Sequence, residues 1–345
     1  MSFKIIATAL LVTSATLLGL YMLQDSSTMH TQEELQAFKD FKIKYEKSYS
    51  SLSENAFRFE VFRINLDVIN THQAKTDQTF SLAVNQFADL SNSEFKNKYL
   101  MGDISRIKQD AADNCGDAPS RDENKLLDSV VDWAKAGKVQ EVKNQESCGS
   151  CWAFSTVGSL ESAYAIFSKD NELPNLSEQE LVDCSKSFGN EGCNGGLMNL
   201  GFKYIIQNGI HTESDYPYRG VDQTCNTDSL SGKTYSAKDC VLVGANTDDL
   251  TKAIAVQPVS VAFYVNLFFQ FYSGGVFNPF TCGGQPNHGV LAVGYNLDEG
   301  SYKVKNSWGS SWGEAGYFRI KIGTGKGTCD MAGSGASVYP LINTD

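Results

Sequence analysis

Nine cysteines and four histidines occur among the 345 residues, and these are the chain's candidates for nucleophilic chemistry. His30 and His72 precede a polar stretch at residues 103–125, and only His211 and His288 follow it. A cysteine nucleophile in the later part of the chain therefore has His211 or His288 as its base. Cys151 has the most favourable setting. It follows the small residues Gly149 and Ser150 and opens a predicted helix, where the dipole and unpaired N–H groups stabilise a thiolate. Thiolate is the attacking species, so the position suits a nucleophile. Cys148 and Cys151 also form a C-x-x-C pair. The polar segment before it lacks the strand that a thioredoxin-like redox motif needs. Cys184 and Cys193 are no second short pair, which argues against a zinc site.

The elements that must hold these groups are legible in part. Thr31 and Glu34 read as a capping box ahead of Leu35, Phe38, Phe41 and Tyr45. Phe57, Val61, Ile64 and Val68 predict one apolar face of a second helix. Residues 80–87 alternate weakly, like a short strand. Cys151–Phe167 predicts a helix with Ala153, Val157, Leu160, Tyr164 and Phe167 on one face. Ser177 and Glu180 cap another helix. Strands are expected over Val259–Phe263, His288–Tyr295, Tyr302–Trp308 and Tyr317–Ile322. A turn at Leu297–Gly300 would fold two of them into a hairpin that brings Asn306 to His288. Helices first and strands afterwards give an α+β class.

Composition narrows the function. The net charge of −11 argues against a nucleic-acid binder that neutralises phosphates. Lys4 and the uncharged run Ile5–Leu23 predict a signal peptide or signal-anchor over residues 1–27, with membrane contact only if it stays uncleaved. Either outcome delivers the chain to an oxidising lumen where disulfides persist. Residues 103–125 are rich in Asp, Asn, Ser and Lys and read as an exposed, cuttable connector.

The stretch Q-E-S-C-G-S-C-W-A-F at residues 145–154 resembles the nucleophile signature of papain-family cysteine proteases, the cathepsin L-like branch in particular. Four further motifs follow in the family's order: L-S-E-Q-E-L-V-D-C-S from Leu176, G-C-N-G-G-L-M from Gly192, N-H-G-V-L-A-V-G-Y from Asn287, and K-N-S-W-G from Lys305 with Trp312-Gly313 after it. The resemblance implies a two-lobed fold, with a helical left lobe and a β-barrel-like right lobe over 126–345. It implies Cys151 as nucleophile and His288 as its partner, cationic at rest. Asn306 would orient the imidazole under the shield of Trp308. Gln145 would donate to the oxyanion together with the Cys151 amide. Gly195 and Gly196 would pair with substrate backbone, which a side chain would block. Leu197, Met198 and Val265, with a small residue near Ser334, would line a pocket for a hydrophobic residue two before the cut.

Glu54, Arg58, Val61, Phe62, Asn65 and Ile69, then Ala83, Asn85, Phe87 and Asp89, resemble the family's inhibitory propeptide over 31–95, with Gln73 and Ala83 departing from its pattern. The implication is a zymogen with a helical N-terminal propeptide, released by cleavage of the 96–125 connector within residues 114–125. Disulfides implied by the resemblance pair Cys148 with Cys193, Cys184 with Cys225, and Cys282 with Cys329. Cys115 and Cys240 have no counterpart in that pattern. Cys240 is expected as a buried thiol, and a bond between the two is the alternative. Glu146 stands where the family usually has glycine. A carboxylate facing the cleft there would raise the histidine pKa and discourage acidic residues after the cut. No cofactor or metal is implied. The partners implied are protein and peptide substrates, the chain's own propeptide and cystatin-type inhibitors, acting on a monomer. The compartment implied is lysosome, vacuole or the outside of the cell. The competing reading is a catalytically weak or inactive papain-like protein that only binds peptides.

Overall fold

The computed structural model describes residues 31–102, 115–117, 126–227, 230–333 and 335–344. The segment 1–27, most of the connector and Ser334 lie outside the described residues. By its contacts the chain divides into two compact units, one ending at Arg63 and one running from Ile64.

In the first unit, helix α1 spans Gln32–Lys44 and starts at the Thr31/Glu34 capping box. Phe38 and Phe41 are buried, and both rings pack on Phe62 at 5.3 and 5.0 Å. Leu35 is exposed. Helix α2, Leu52–Gln73, begins in this unit and continues into the second. Its buried face differs from the apolar periodicity. Phe57 and Ile64 are exposed and Val61 is buried as expected, while Phe59, Phe62, Asn65, Ile69 and His72 are also buried. Two polar residues belong to that face because each finds backbone partners. Asn65 Nδ2 donates to the carbonyls of Ala88 and Leu90, and His72 Nε2 lies 3.0 Å from Phe80 O. Buried polar groups are tolerated when bonded, so counting apolar residues misplaced the face.

The second unit is mixed helix and sheet. Strand β1 is Phe80–Leu82, helix α3 is Asn92–Tyr99, and β2 is Gly116–Asp117. Strand β3, Val130–Asp132, precedes the helical part: α4 Cys151–Phe167, α5 Glu178–Cys184 and α6 Met198–Asn208. Then come β4 Asp239–Leu242, α7 Thr247–Ile254, β5 Val259–Phe263, α8 Leu267–Gln270, β6 Tyr272–Phe277, β7 His288–Asn296, β8 Ser301–Lys305, β9 Tyr317–Lys321 and β10 Val338–Leu341. The sheet order is β1-β6-β9-β8-β7-β5-β10-β4-β2, with β3 paired to β7. The β7–β8 hairpin forms with Asn296 opposite Ser301. Strand β8 ends at Lys305, short of the expected Trp308, which leaves Asn306–Trp308 free to turn.

Helix α4 is buried on nearly every side rather than along one stripe, and Phe167 is half-exposed. Its hydroxyls make this possible. Ser155 Oγ donates to Val290 O and Ser159 Oγ to Pro258 O, stitching the helix to β7 and to the start of β5. Ser177 caps α5 by accepting from Glu180 N. The Glu180 carboxylate does not reach back to close a box. It accepts instead from Tyr204 Oη and His211 N. His211 is buried against it, with Nδ1 3.0 Å from Glu180 Oε2.

Four disulfides are present: Cys148–Cys193, Cys184–Cys225, Cys282–Cys329 and Cys115–Cys240. The last corrects the expectation of Cys240 as a buried thiol. Strand β2 runs parallel to β4, with Gly116 opposite Val241, and this pairing carries Cys115 to Cys240. Such a contact across 125 positions leaves no periodic trace in a sequence. Cys151 is the free cysteine among the described residues.

Candidate active site

Cys151 is the first residue of α4, and its Sγ accepts from the amide of Gly289 at 3.3 Å. Glycine at 289 gives that approach its room. A Cβ there would sit 3.1 Å from Trp152 Cα and 3.3 Å from Cys151 C. The neighbouring His288 opens β7 and is fully buried. Its Nε2 lies 2.8 Å from Asn306 Oδ1, while Nδ1 has no hydrogen-bond partner among the described residues. Asn306 Oδ1 also accepts from Ser307 N, which fixes the amide's orientation. The Trp308 indole stacks on the imidazole at 4.6 Å with 28° between planes and covers that face of the ring. The β7–β8 hairpin and the turn after it bring His288 and Asn306 together.

Gln145 is held by its amide oxygen. Ser307 Oγ donates to it at 2.7 Å and Trp308 Nε1 at 3.1 Å. Tyr218 Oη donates to the Gln145 backbone carbonyl. This leaves Nε2 to donate to Cys148 O at 2.8 Å and to the carbonyl of Tyr99 at 2.9 Å. Ser307 was within reach of sequence reading, as part of K-N-S-W-G. Tyr218 carried no signal, because only the tertiary fold brings it to Gln145.

Tyr99 belongs to a segment that crosses this site. Met101 N donates to Asn287 O at 2.9 Å and Gly102 N to Asn194 O at 3.2 Å. A Cβ on Gly149 would meet Leu100 O at 2.9 Å. Leu100 and Met101 are buried, and Met101 shares an apolar cluster with Cys151, Leu197 and Met198. Leu197 and Met198 are themselves fully buried, as is Val265, whose amide donates to Asn287 Oδ1. Gly196 backs directly on Trp152, where a Cβ would stand 2.7 Å from the ring. Upstream, β1 pairs with β6, Asn85 Nδ2 donates to Gln270 O, and Phe87 sets its ring edge against Trp308 at 5.6 Å.

Covering has an electrostatic result. Burial pushes the Cys151 thiol up to about 12, against a smaller lowering by the amides of Gly289, Trp152 and Met101. Burial likewise lowers His288 to about 4, with the Asn306 bond acting the other way. Under this cover burial favours the neutral form of each group. Glu146 is exposed beside this site. Its side chain lies on Gly220, where a Cβ would stand 2.7 Å from Oε2.

Beneath Asn306 lies a buried charge cluster that the sequence reading missed. Lys143 Nζ bonds Glu161 at 3.1 Å and Glu178 at 2.8 Å. Burial opposes the Lys143 charge, but the two carboxylates outweigh it and hold the ammonium above the usual lysine value. Lys305, buried next to Asn306, is lowered to about 8 by burial.

Comparison with known proteins agrees with this geometry. A family model described as "Papain family cysteine protease" matches residues 127–339, and one for the cathepsin propeptide inhibitor domain matches residues 38–95. The chain is 44% identical over 304 residues to the cysteine protease XCP2 of Arabidopsis thaliana, covering 86% of this chain and 84% of that protein. It is 42% identical over 328 residues to the KDEL-tailed cysteine endopeptidase CEP2 of Arabidopsis thaliana, covering 92% and 89%. Among solved structures, digestive procathepsin L 3 of Tenebrio molitor larval midgut superposes with a TM-score of 0.79 at 38% identity, over 90% of this chain and all of that one. The chain belongs to the papain family of cysteine proteases, as a cysteine-type endopeptidase carrying its own inhibitory propeptide.

Proposed function

We propose that Cys151 and His288 cleave peptide bonds through an acyl-enzyme once residues 99–102 have left the cleft. The observation that carries this reading is the orientation of His288. Asn306 holds Nε2 at 2.8 Å and leaves Nδ1 without a partner, beside the strand end whose next amide bonds Cys151 Sγ. With water readmitted, the thiol proton passes to Nδ1, and the helix N-terminus stabilises the thiolate left behind. The thiolate attacks the substrate carbonyl. Gln145 Nε2, now bonded to Tyr99 O, would donate to the developing oxyanion with the Cys151 amide. The imidazolium protonates the leaving amine, and water hydrolyses the acyl-enzyme.

Leu197, Met198 and Val265 supply an apolar site for Leu, Phe or Val two residues before the cut, beside Gly195 and Gly196. Falling pH would protonate carboxylates and loosen the docking of the propeptide, which favours release in acid. Cleavage within the connector would break the peptide link between residues 31–95 and the catalytic domain. Four disulfides and the likeness to a KDEL-tailed endopeptidase support a secretory-pathway location. Cystatin-type inhibitors would enter the same cleft of a monomer.

The test incubates the full chain at pH 4–5, follows its mass, and labels the product with a thiol-directed peptide epoxide. Labelling at Cys151, and cleavage of peptides with Leu in preference to Arg two before the cut, is the expected result. A processed protein that is neither labelled nor active would leave only the peptide-binding alternative.

A further inference from the structure

Glu146 bears an unused charge. It follows Gln145 with φ 54°, in a backbone region that L side chains rarely adopt. Strain held beside a reaction centre points to a function. The carboxylate is exposed and makes no hydrogen bond or ion pair among the described residues. It lies on Gly220, whose lack of a side chain leaves it room. Next to it, Ser147 Oγ stands 3.3 Å from Tyr99 Oη. Burial is the main reason the Tyr99 phenol titrates high, and the Glu146 carboxylate adds to it, so the two are close in space.

Tyr99 O marks where a substrate carbonyl meets Gln145. Met101 and Gly102 continue from there toward Asn194 and Gly195. The Tyr99 ring lies on the opposite side, with Phe87 and Phe95, whose edges meet Trp308. When the propeptide leaves, the residue that follows the scissile bond takes the place of that ring. We propose that Glu146 selects a Lys or Arg side chain there, a specificity that rests on the protease reading above.

The test compares quenched peptides that differ only after the cut, with Lys, Ala or Glu, at pH 6. Wild type should favour Lys over Glu by about fivefold in kcat/KM at low salt, from one unscreened charge pair at partly solvated range. The ratio should shrink in high salt and vanish in Glu146→Gln and Glu146→Gly. An unchanged ranking in both variants, with cleavage retained, overturns this inference alone. An activated wild type that cleaves no peptide overturns the protease reading and this with it.

A second observation stands independently. The bond between Cys115 and Cys240 joins a residue before the catalytic domain to β4 within it, and β2 adds to the same strand. A cut between residues 118 and 126 therefore leaves everything up to Asp117 covalently attached through sulfur. A tethered inhibitor rebinds at an effective concentration on the order of millimolar. The structure assigns Cys115–Cys240 as a redox tether, so that propeptide release takes two events: peptide hydrolysis and reduction. In the second, a thiol reductant gives two electrons and two protons to the disulfide, yielding two cysteine thiols and the oxidised reductant.

Acid-processed wild type should keep the mass of both pieces until a thiol is added, then separate. Cys115→Ser, and the double variant with Cys240→Ser, should separate without thiol. Release from wild type without thiol, or an active chain that starts before Cys115, overturns the assignment.

Discussion

Replacing Gln145 by alanine tests the site where the structure is most explicit. The side chain has its oxygen fixed by Ser307 and Trp308 and one Nε2 proton spent on Cys148 O. The remaining proton points at Tyr99 O, where an oxyanion would form. Loss of one such donor costs about 2.7–4 kcal/mol in the transition state, or 10²–10³ in kcat. KM should change little, because the charge develops only after binding. The same variant loses one neutral hydrogen bond to the propeptide, worth about 1 kcal/mol, so added propeptide should inhibit it about fivefold less well. Ser307 Oγ and Trp308 Nε1 also lose their acceptor, which costs about 1–3 kcal/mol of stability. Melting curves must therefore accompany the kinetics, with active sites counted by epoxide titration. Gln145→Glu keeps the shape and the acceptor but offers no second donor, and should be at least as slow. A kcat within tenfold of wild type in both variants would refute the oxyanion role.

The covered pair makes a pH prediction. His288 is lowered to about 4 in the zymogen against roughly 6.5 when uncovered. In a Cys151→Ala zymogen the opened state thus binds more protons between those values, and falling pH weakens covering by roughly 3 kcal/mol in all. In the wild type the thiol hands that proton to His288 on opening, so the pair takes up no net proton and adds little pH dependence; propeptide dissociation measured across pH 7 to 4 should show the His288 contribution in Cys151→Ala alone. Alkylation of Cys151 in the zymogen should climb about tenfold per pH unit, because burial keeps the thiol near 12. In the activated enzyme it should be flat over mildly acidic pH. Gly289→Ala should push β7 away from Trp152 and cut kcat/KM by more than tenfold with a smaller loss of Tm. Lys143→Met strands two buried carboxylates and should cost about 3–5 kcal/mol of stability in chemical denaturation.

What the sequence by itself determined was chemistry carried by local signals. A cysteine after two small residues opens a helix. A capping pair starts α1. A hairpin brings Asn306 to His288, through a turn of a few residues. Each depends on neighbours close along the chain, so spacing alone encodes it. The buried face of α2 was not legible, because Asn65 and His72 are buried only by virtue of distant carbonyls at Leu90 and Phe80. Nor was the all-round burial of α4, whose serines look solvent-facing until β7 and the start of β5 supply their acceptors.

Tertiary structure alone decided the Cys115–Cys240 bond, the clamp on Gln145 by Tyr218, and the charge cluster under Asn306. It also decided how deeply Cys151 and His288 are buried. Sequence types suggest a thiolate and an imidazolium, and dipole and neighbours support them. Yet the free energy of a charge depends on whether water reaches it, and that is set by residues 99–102, roughly fifty positions from Cys151 and almost two hundred from His288. Burial outweighs every local stabilising contact at that site, and on the function proposed here the two residues ionise once the cover is gone.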